Sequence, residues 1–255
     1  MVKMPVLFIG HGSPMNAIEE NEFTETWADL GATLPRPKAI LAVSAHWYTD
    51  GTRICDALYP TQIYDMYGFP RELYELKYPV KGSPELAHHT KELLNGKVQF
   101  DNRWGIDHGT WSVLCRMYPE ADIPVCQLSI DRNAPAVEHY RMGQKLHSLR
   151  EQGVLILGSG NVVHNLSKIN WELEGGYPWA EEFDAYIKKA ILSRQYEEVI
   201  HYEKAGKAAE LSFYTPDHFY PLLNILGALD EKDQGCAYND SCILGSLSMT
   251  SYLFT

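Results

Sequence analysis

No C-x-x-C pair occurs in this chain, and its five cysteines (Cys55, Cys115, Cys126, Cys236, Cys242) follow no regular spacing. An odd, scattered set makes no disulfide framework. It fits a reducing compartment in which thiols act as small core residues. Long apolar runs are missing too. The VLFI run at 6–9 is too short for a signal segment or a membrane span, so no membrane is expected as a partner and a cytoplasmic location is expected. Basic residues are outnumbered, with 22 Lys and Arg against 33 Asp and Glu and a net charge of −11. That balance argues against a general nucleic-acid binder, though not against a small anion, because the field inside a pocket is local. Repeats, low-complexity tracts and linkers are absent as well, so residues 1–255 are expected to form one domain. No H-E-x-x-H, G-x-S-x-G or Walker A pattern is present.

What remains is an ordinary globular composition, 45% hydrophobic and 22% charged, with enough apolar residues for a large core. Three apolar runs read as buried strands: Val6–Ile9, Ala39–Ala45 and Val154–Leu157. Each breaks at a turn or a polar residue, and His11, His46 and His164 follow the breaks. In an open α/β sheet, ligands sit beyond the carboxyl ends of the strands, so histidines delivered there are placed for chemistry. Further strands are expected over 52–57, 97–101 and 123–130. Helices are expected over 22–30, 83–94 (capped by Ser83, with Pro84 at the first position), 112–118, 135–151 (closed at Gly153), 179–195 and, as one or two helices, 196–209. Another is expected from His218 to Leu229, capped by Thr215, and the C-terminus reads as a closing hairpin over 237–254. Alternating strand and helix predicts a single-domain α/β fold. Its central sheet is mostly parallel with helices on both faces, a three-layer αβα sandwich.

Tyr59–Val80 has neither helical nor strand period and carries five tyrosines and a phenylalanine. It reads as a long ordered loop, either a surface loop with structural tyrosines or a lid facing substrate. Gly158-Ser159-Gly160 follows a strand like a dinucleotide fingerprint, but Val163 stands where the third glycine belongs. These glycines are expected instead to let backbone pass close to a site.

Of ten histidines, His88, His89, His139, His147 and His201 fall in expected helices among polar neighbours and read as helix-surface residues. His11, His46, His108, His164 and His218 lie in turn-rich stretches. Imidazole is the commonest ligand for borderline divalent metals, and three fixed nitrogens leave positions open for substrate. Trp47, Trp111, Tyr214 and Phe219 flank these histidines and either pack against an aromatic ring or belong to the core. Ser13, Asn16 and Asn161 read either as turn residues or as groups orienting imidazoles.

Five stretches in order, GHGSPMNA (10–17), SAHW (44–47), DHGTWSVL (107–114), GSGNVVHNL (158–166) and TPDHFYPL (215–222), resemble the class III extradiol ring-cleavage dioxygenases. Within that family they are most similar to the DOPA 4,5-dioxygenase subgroup of plants and bacteria. The resemblance implies a non-haem metal enzyme that opens a catechol ring beside its hydroxyls, with the catechol and O2 as its small-molecule partners. It makes His11, His46 and His218 metal ligands and His164 the acid/base, with His164 also near enough to ligate. It places His108, the second catalytic candidate, in the substrate pocket. Trp47, Trp111, Asn161 and Phe219, from their places beside the histidines, are the substrate-binding candidates. Protocatechuate enzymes of the family carry a glutamate as third ligand where this chain has His218. An all-neutral ligand set makes the site more positive and suits Zn(II) as readily as Fe(II). A zinc-dependent hydrolase in the same pocket, and a metal-binding relative without turnover, therefore stand as alternatives.

Overall fold

The structure, a computed structural model, describes residues 3–255. Ten strands form: β1 (Val6–Gly10), β2 (Ala39–Thr49), β3 (Arg53–Ile54), β4 (Gln99–Phe100), β5 (Val125–Asp131), β6 (Val154–Gly160), β7 (Gly235–Tyr238), β8 (Cys242–Ile243), β9 (Leu247–Ser248) and β10 (Ser251–Phe254). Eight of them make one sheet in the order β4-β3-β5-β2-β6-β1-β10-β7. The central β5-β2-β6-β1 block is parallel, and β10 and β7 add antiparallel at one edge. The sheet is thus mostly parallel, as the alternation of elements predicts. Because β6 lies between β1 and β2, the carboxyl ends of the three apolar runs are neighbours.

Both faces of the sheet are covered, which is why its strands read as unbroken apolar runs. Val6 and Phe8 of β1 point to one core, and Leu7 and Ile9 to the other. The first core is closed by helices Pro84–Leu93, Pro178–Leu192 and Tyr220–Gly227, through residues such as Ala87, Phe183 and Leu222. The second is closed by helices Glu22–Thr33 and His108–Met117, through Trp27, Leu114 and Met117. The helix at 22 starts on a capping box between Asn21 and Thr24, and Ser83 accepts from the Leu86 amide as the sequence predicts. Gly153 ends the helical stretch after 136 with φ +86°.

Several expectations shift in ways that matter to the site. β2 does not stop before His46 but continues to Thr49 through a bulge. Val43 pairs with Leu128 and Tyr48 with Ile130, so five steps of β2 oppose two of β5. Bulges re-aim side chains beside active sites. The helix expected at 112 begins at His108, placing that histidine in its first turn. The helix expected from His218 begins at Tyr220, because Pro221 lacks an N–H and belongs in the first turn. Thr215 therefore caps nothing, and its hydroxyl donates to Asp217 Oδ1 (2.7 Å). The 196–209 region divides into helices Tyr196–Ile200 and Lys207–Ser212. The closing hairpin is nested: β7 pairs with β10 in the main sheet, while β8 and β9 form a small sheet of their own.

At the sheet's amino end, Arg150 and Asp233 form an ion pair with no exposed side-chain surface on either partner. Arg150 also donates to the carbonyls of Met4 (2.8 Å) and Ala228 (2.9 Å), tying three segments together. Burial works against the Asp233 carboxylate, but the hydrogen bonds from Arg150 and Lys3 outweigh it and hold its pKa well below the usual range. Such a group binds fewer protons folded than unfolded. Its stabilisation is complete above the ordinary carboxylate pKa, about 4, and is lost as pH falls. Removing one partner leaves the other charged and buried, so Arg150→Met is expected to cost about 3–5 kcal/mol at neutral pH. Urea unfolding checks this, and the deficit relative to wild type should shrink on acidification.

Candidate metal centre

His11 stands just past the end of β1, His46 in the β2 bulge, and His218 in the turn before helix Tyr220–Gly227. One ring nitrogen from each lies within 4.8 Å of the other two. Two glycines permit this approach. A Cβ on Gly160 would meet the His218 carbonyl oxygen at 2.1 Å, and one on Gly109 would meet the His46 ring at 2.8 Å. The backbone locks the arrangement, since His11 N–H donates to Gly160 (3.1 Å) and Asn161 N–H donates to His218 (2.9 Å). The glycines of the GSG stretch serve close approach, as the sequence suggests, and not a nucleotide.

The tautomers follow from the partners. The Ser159 hydroxyl spends its only proton on the Gly109 carbonyl (2.5 Å), so it must accept from His11 Nδ1 (3.0 Å). His218 Nδ1 donates to Asp217 Oδ2 (3.0 Å), and His46 Nδ1 faces Asp65 Oδ2 at 3.2 Å. With Nδ1 so engaged, each ring presents its Nε2 as the remaining donor atom. His218 Nε2 is buried without a protein partner, and the Nε2 atoms of His11 and His46 face each other at 3.1 Å. Two lone pairs at that distance repel unless a cation or a shared proton lies between them. Burial first, and then the neighbouring histidines, hold His11 and His46 well below the ordinary histidine pKa, so protonation does not relieve the crowding. A divalent metal fits the donor set: three imidazole nitrogens, each ring oriented from behind by an oxygen.

The remaining predicted residues divide. His164 is not in the three-nitrogen set. Its ring stacks on His218, with centroids 3.5 Å apart and planes within 4°, and it lines a cavity of about 260 Å³ that includes Asp217. His108 packs on His46 (centroids 3.9 Å), and its backbone N–H donates to Asp65 Oδ1 (3.0 Å). Trp47 borders a larger cavity that begins at His46. Asn161 is buried. Its amide donates to the Ser248 carbonyl (2.7 Å), while its Oδ1, itself buried, has no protein partner. Trp111 and Phe219 lie in the cores, away from the cavities. The Trp111 indole donates to Ile63 (2.8 Å), and Phe219 is wholly buried among Phe183, Tyr202 and Phe213. Ser13 caps a turn through the Met15 amide, and Asn16 bonds the His11 carbonyl, so neither touches an imidazole.

The residues that do orient the imidazoles, Asp65, Ser159 and Asp217, were not among the sequence candidates for that work. Asp65 arrives from the Tyr59–Val80 loop. Only Asp217 had a local signal, adjacent to His218 and too close in sequence to ligate beside it. A buried network at the start of the His108 helix was equally hidden. Asp107, wholly buried, accepts from Ser44 (2.6 Å), Trp104 (3.1 Å) and Gln127 (2.6 Å). Burial, and then the charge of Asp65, push its carboxyl up to about 6.

Residues 5–254 match the family model described as the catalytic LigB subunit of aromatic ring-opening dioxygenase. The chain belongs to this family. It is 46% identical to the 4,5-DOPA dioxygenase extradiol of Escherichia coli K12, over 98% of this chain and 94% of that one. It is 41% identical to the protein of the same name from Beta vulgaris, over 97% and 95%. A crystal structure of an uncharacterized E. coli K12 protein superposes with a TM-score of 0.86 at 43% identity, covering 98% of this chain and 99% of that one. The family is that of extradiol ring-opening dioxygenases, and the five resembling motifs are those that build the centre.

The partners behind the rings give the centre a direct test. Ser159→Ala and Asp217→Ala each free one imidazole to rotate and change tautomer. Each is expected to weaken divalent-metal binding by about 10- to 100-fold, measured by competition with a chromophoric chelator.

Proposed function

We propose that the whole chain is one catalytic domain that cleaves the ring of a DOPA-like catechol with O2, using Fe(II) held by His11, His46 and His218. The convergence of three imidazoles, each with its Nδ1 engaged by an oxygen, beyond the carboxyl ends of adjacent parallel strands carries this reading. The names of the relatives support it. When bound, a ferrous ion supplies a common seat for the catechol oxygens and dioxygen and the electron path between them.

The protein's own groups do the rest. His164, stacked beside His218 and open to a cavity, is held well below the ordinary histidine pKa by burial and then by His218, so it is neutral and able to accept a catechol proton that it later returns. His108, packed on His46, offers a hydrogen bond to the substrate from the opposite side. Trp47 provides an aromatic wall. Asp65 and Asp217 hold the ligand rings and keep their outer nitrogens protonated. No helix among the described residues is long and apolar enough to cross a membrane. A cytoplasmic site of action remains part of this proposal.

Oxygen uptake by the Fe(II)-loaded protein given DOPA tests it. Stoichiometric uptake with a new yellow chromophore is expected. His164→Ala is expected to lose about 10²- to 10⁴-fold in kcat while still binding metal. His46→Ala should lose metal and activity together. Three histidines also make an open catalytic zinc site. Turnover of an ester or amide with zinc under anaerobic conditions would select a hydrolase, and full metal occupancy without turnover of any catechol would select a binding protein.

A further inference from the structure

Behind the centre, one buried carboxylate has no part in the chemistry above. Asp184, on the helix Pro178–Leu192, is only 4% exposed. Among the described residues no cation pairs with it, and Lys188, one turn along, is spent on Asp240 (2.6 and 2.7 Å). Its partners are two hydroxyls. Ser248 donates to Oδ1, and Thr250 donates to Oδ2 (2.9 Å). Burial pushes the carboxyl up to about 6 against the pull of those hydrogen bonds, so its ionised form is costly here. An apolar side chain would escape that cost, but it could not accept from both hydroxyls at once.

Those hydroxyls belong to a strap, residues 246–250, in which every residue is buried. Four hydrogen bonds lace the strap to the loop that carries His164. The Asn161 amide donates to the Ser248 carbonyl (2.7 Å), and Ser248 N–H donates to Val163 (3.0 Å). Asn165 N–H donates to the Ser246 carbonyl (3.1 Å), and the Ser246 hydroxyl returns one to Asn165 (2.8 Å). His164 itself pairs with Leu247 as an isolated antiparallel bridge. None of the strap's residues lines either cavity described above. We infer that Asp184 is a positioning residue for His164: its carboxylate pins Ser248 and Thr250, and the strap so fixed holds the 161–165 loop where the imidazole meets substrate. The inference rests on the reading of His164 as the acid/base. It adds that the aim of this group depends on a side chain that touches neither the metal ligands nor the cavities. The metal ligands have their own ties, such as the His11 N–H on Gly160, so the strap's loss should spare metal binding.

Asp184→Leu keeps the bulk and removes both acceptors. In the Fe(II)-loaded full chain, kept anaerobic, it is expected to speed hydrogen exchange at the Asn165 and Ser248 amides and to leave the β1–β6 ladder unchanged. With DOPA and oxygen, kcat is expected to fall about 10- to 100-fold, while KM and metal affinity stay as in wild type. Asp184→Asn keeps an acceptor for one hydroxyl and turns a donor toward the oxygen of the other, and it is expected to regain most of the loss. Should Asp184→Leu fail to fold, Thr250→Val removes one donor with little change of shape and carries the same readouts. Unchanged exchange, an unchanged kcat, or a loss that falls on KM or metal affinity instead would overturn the assignment. Exchange needs no substrate. Faster exchange in a protein whose wild type turns over no catechol would therefore sink ring cleavage and still support Asp184 as the anchor of the His164 loop.

Discussion

Lone pairs crowded into a dry space are the constraint on which this structure turns. His11, His46 and His218 each have Nδ1 engaged by an oxygen, so their Nε2 atoms meet in the interior with nothing of the protein's own between them. Such a contact is unfavourable until a cation enters, and it must be held by structure around it. The holding is backbone work. Gly160 and Gly109 give up side chains so that a carbonyl and a ring can come within contact distance, and the β2 bulge turns His46 inward. At Gly10 a Cβ would strike the Met249 carbonyl at 2.7 Å, so the closing segment before β10 also presses on the strand that delivers His11. The apolar sheet supplies the rigidity that lets these approaches persist.

Charge behind the rings alters what the ligand set implies. Three neutral imidazoles suggest a strongly positive metal site. Asp65 and Asp217 place two carboxylates directly behind two of those rings, and burial does not prevent their ionisation. Burial pushes each upward, but the hydrogen bonds each accepts, Asp217 from His218 and Thr215 and Asp65 from His108, more than compensate, leaving Asp217 at about 2 and Asp65 below its usual value. A divalent ion here is close to charge-balanced at the second layer, much as a ligating carboxylate would make it at the first. The missing glutamate of the protocatechuate enzymes is replaced in effect, if not in position, so the added positive charge that made the all-histidine set suit Zn(II) as readily as Fe(II) is largely offset.

The elements that carry the site were legible in the sequence for a physical reason. Strands buried on both faces must be continuous apolar runs, so 6–9, 39–45 and 154–157 could be found without an alignment, and the histidines after them inherited a location from the parallel-sheet rule. The five motifs fixed the family, which periodicity alone could not. Side-chain direction stayed hidden. Phe219 directly follows His218, and successive residues on a helical turn diverge by about 100°, so its ring turned into the core; Trp111, nearly a turn on from His108, is held in the other core with its indole on the Ile63 carbonyl. Ser159, noted only as part of the Gly158-Ser159-Gly160 stretch, is the hydrogen-bond partner of His11, because only the sheet register brings it beside β1. Asp65 had no local signal at all: its contact with His46 is a matter of how a loop without periodicity returns to the sheet.

That loop also limits what a lid could be. Tyr59–Val80 carries Asp65 against both His46 and His108, and Ile63 is anchored by the Trp111 indole. Gln62 and Tyr64 bond the Leu76 carbonyl, closing the segment on itself, and Leu73, Tyr78 and Val80 are buried in the second core. Swinging the whole segment away would unmake the support of two histidines and expose apolar surface, so it cannot serve as a free flap while the centre stays assembled. Its tip near Tyr67, 92% exposed, is the part that makes no such contacts with the site. The aromatic loop is therefore better understood as a wall of the site, and entry belongs to the clefts beside His46 and His164.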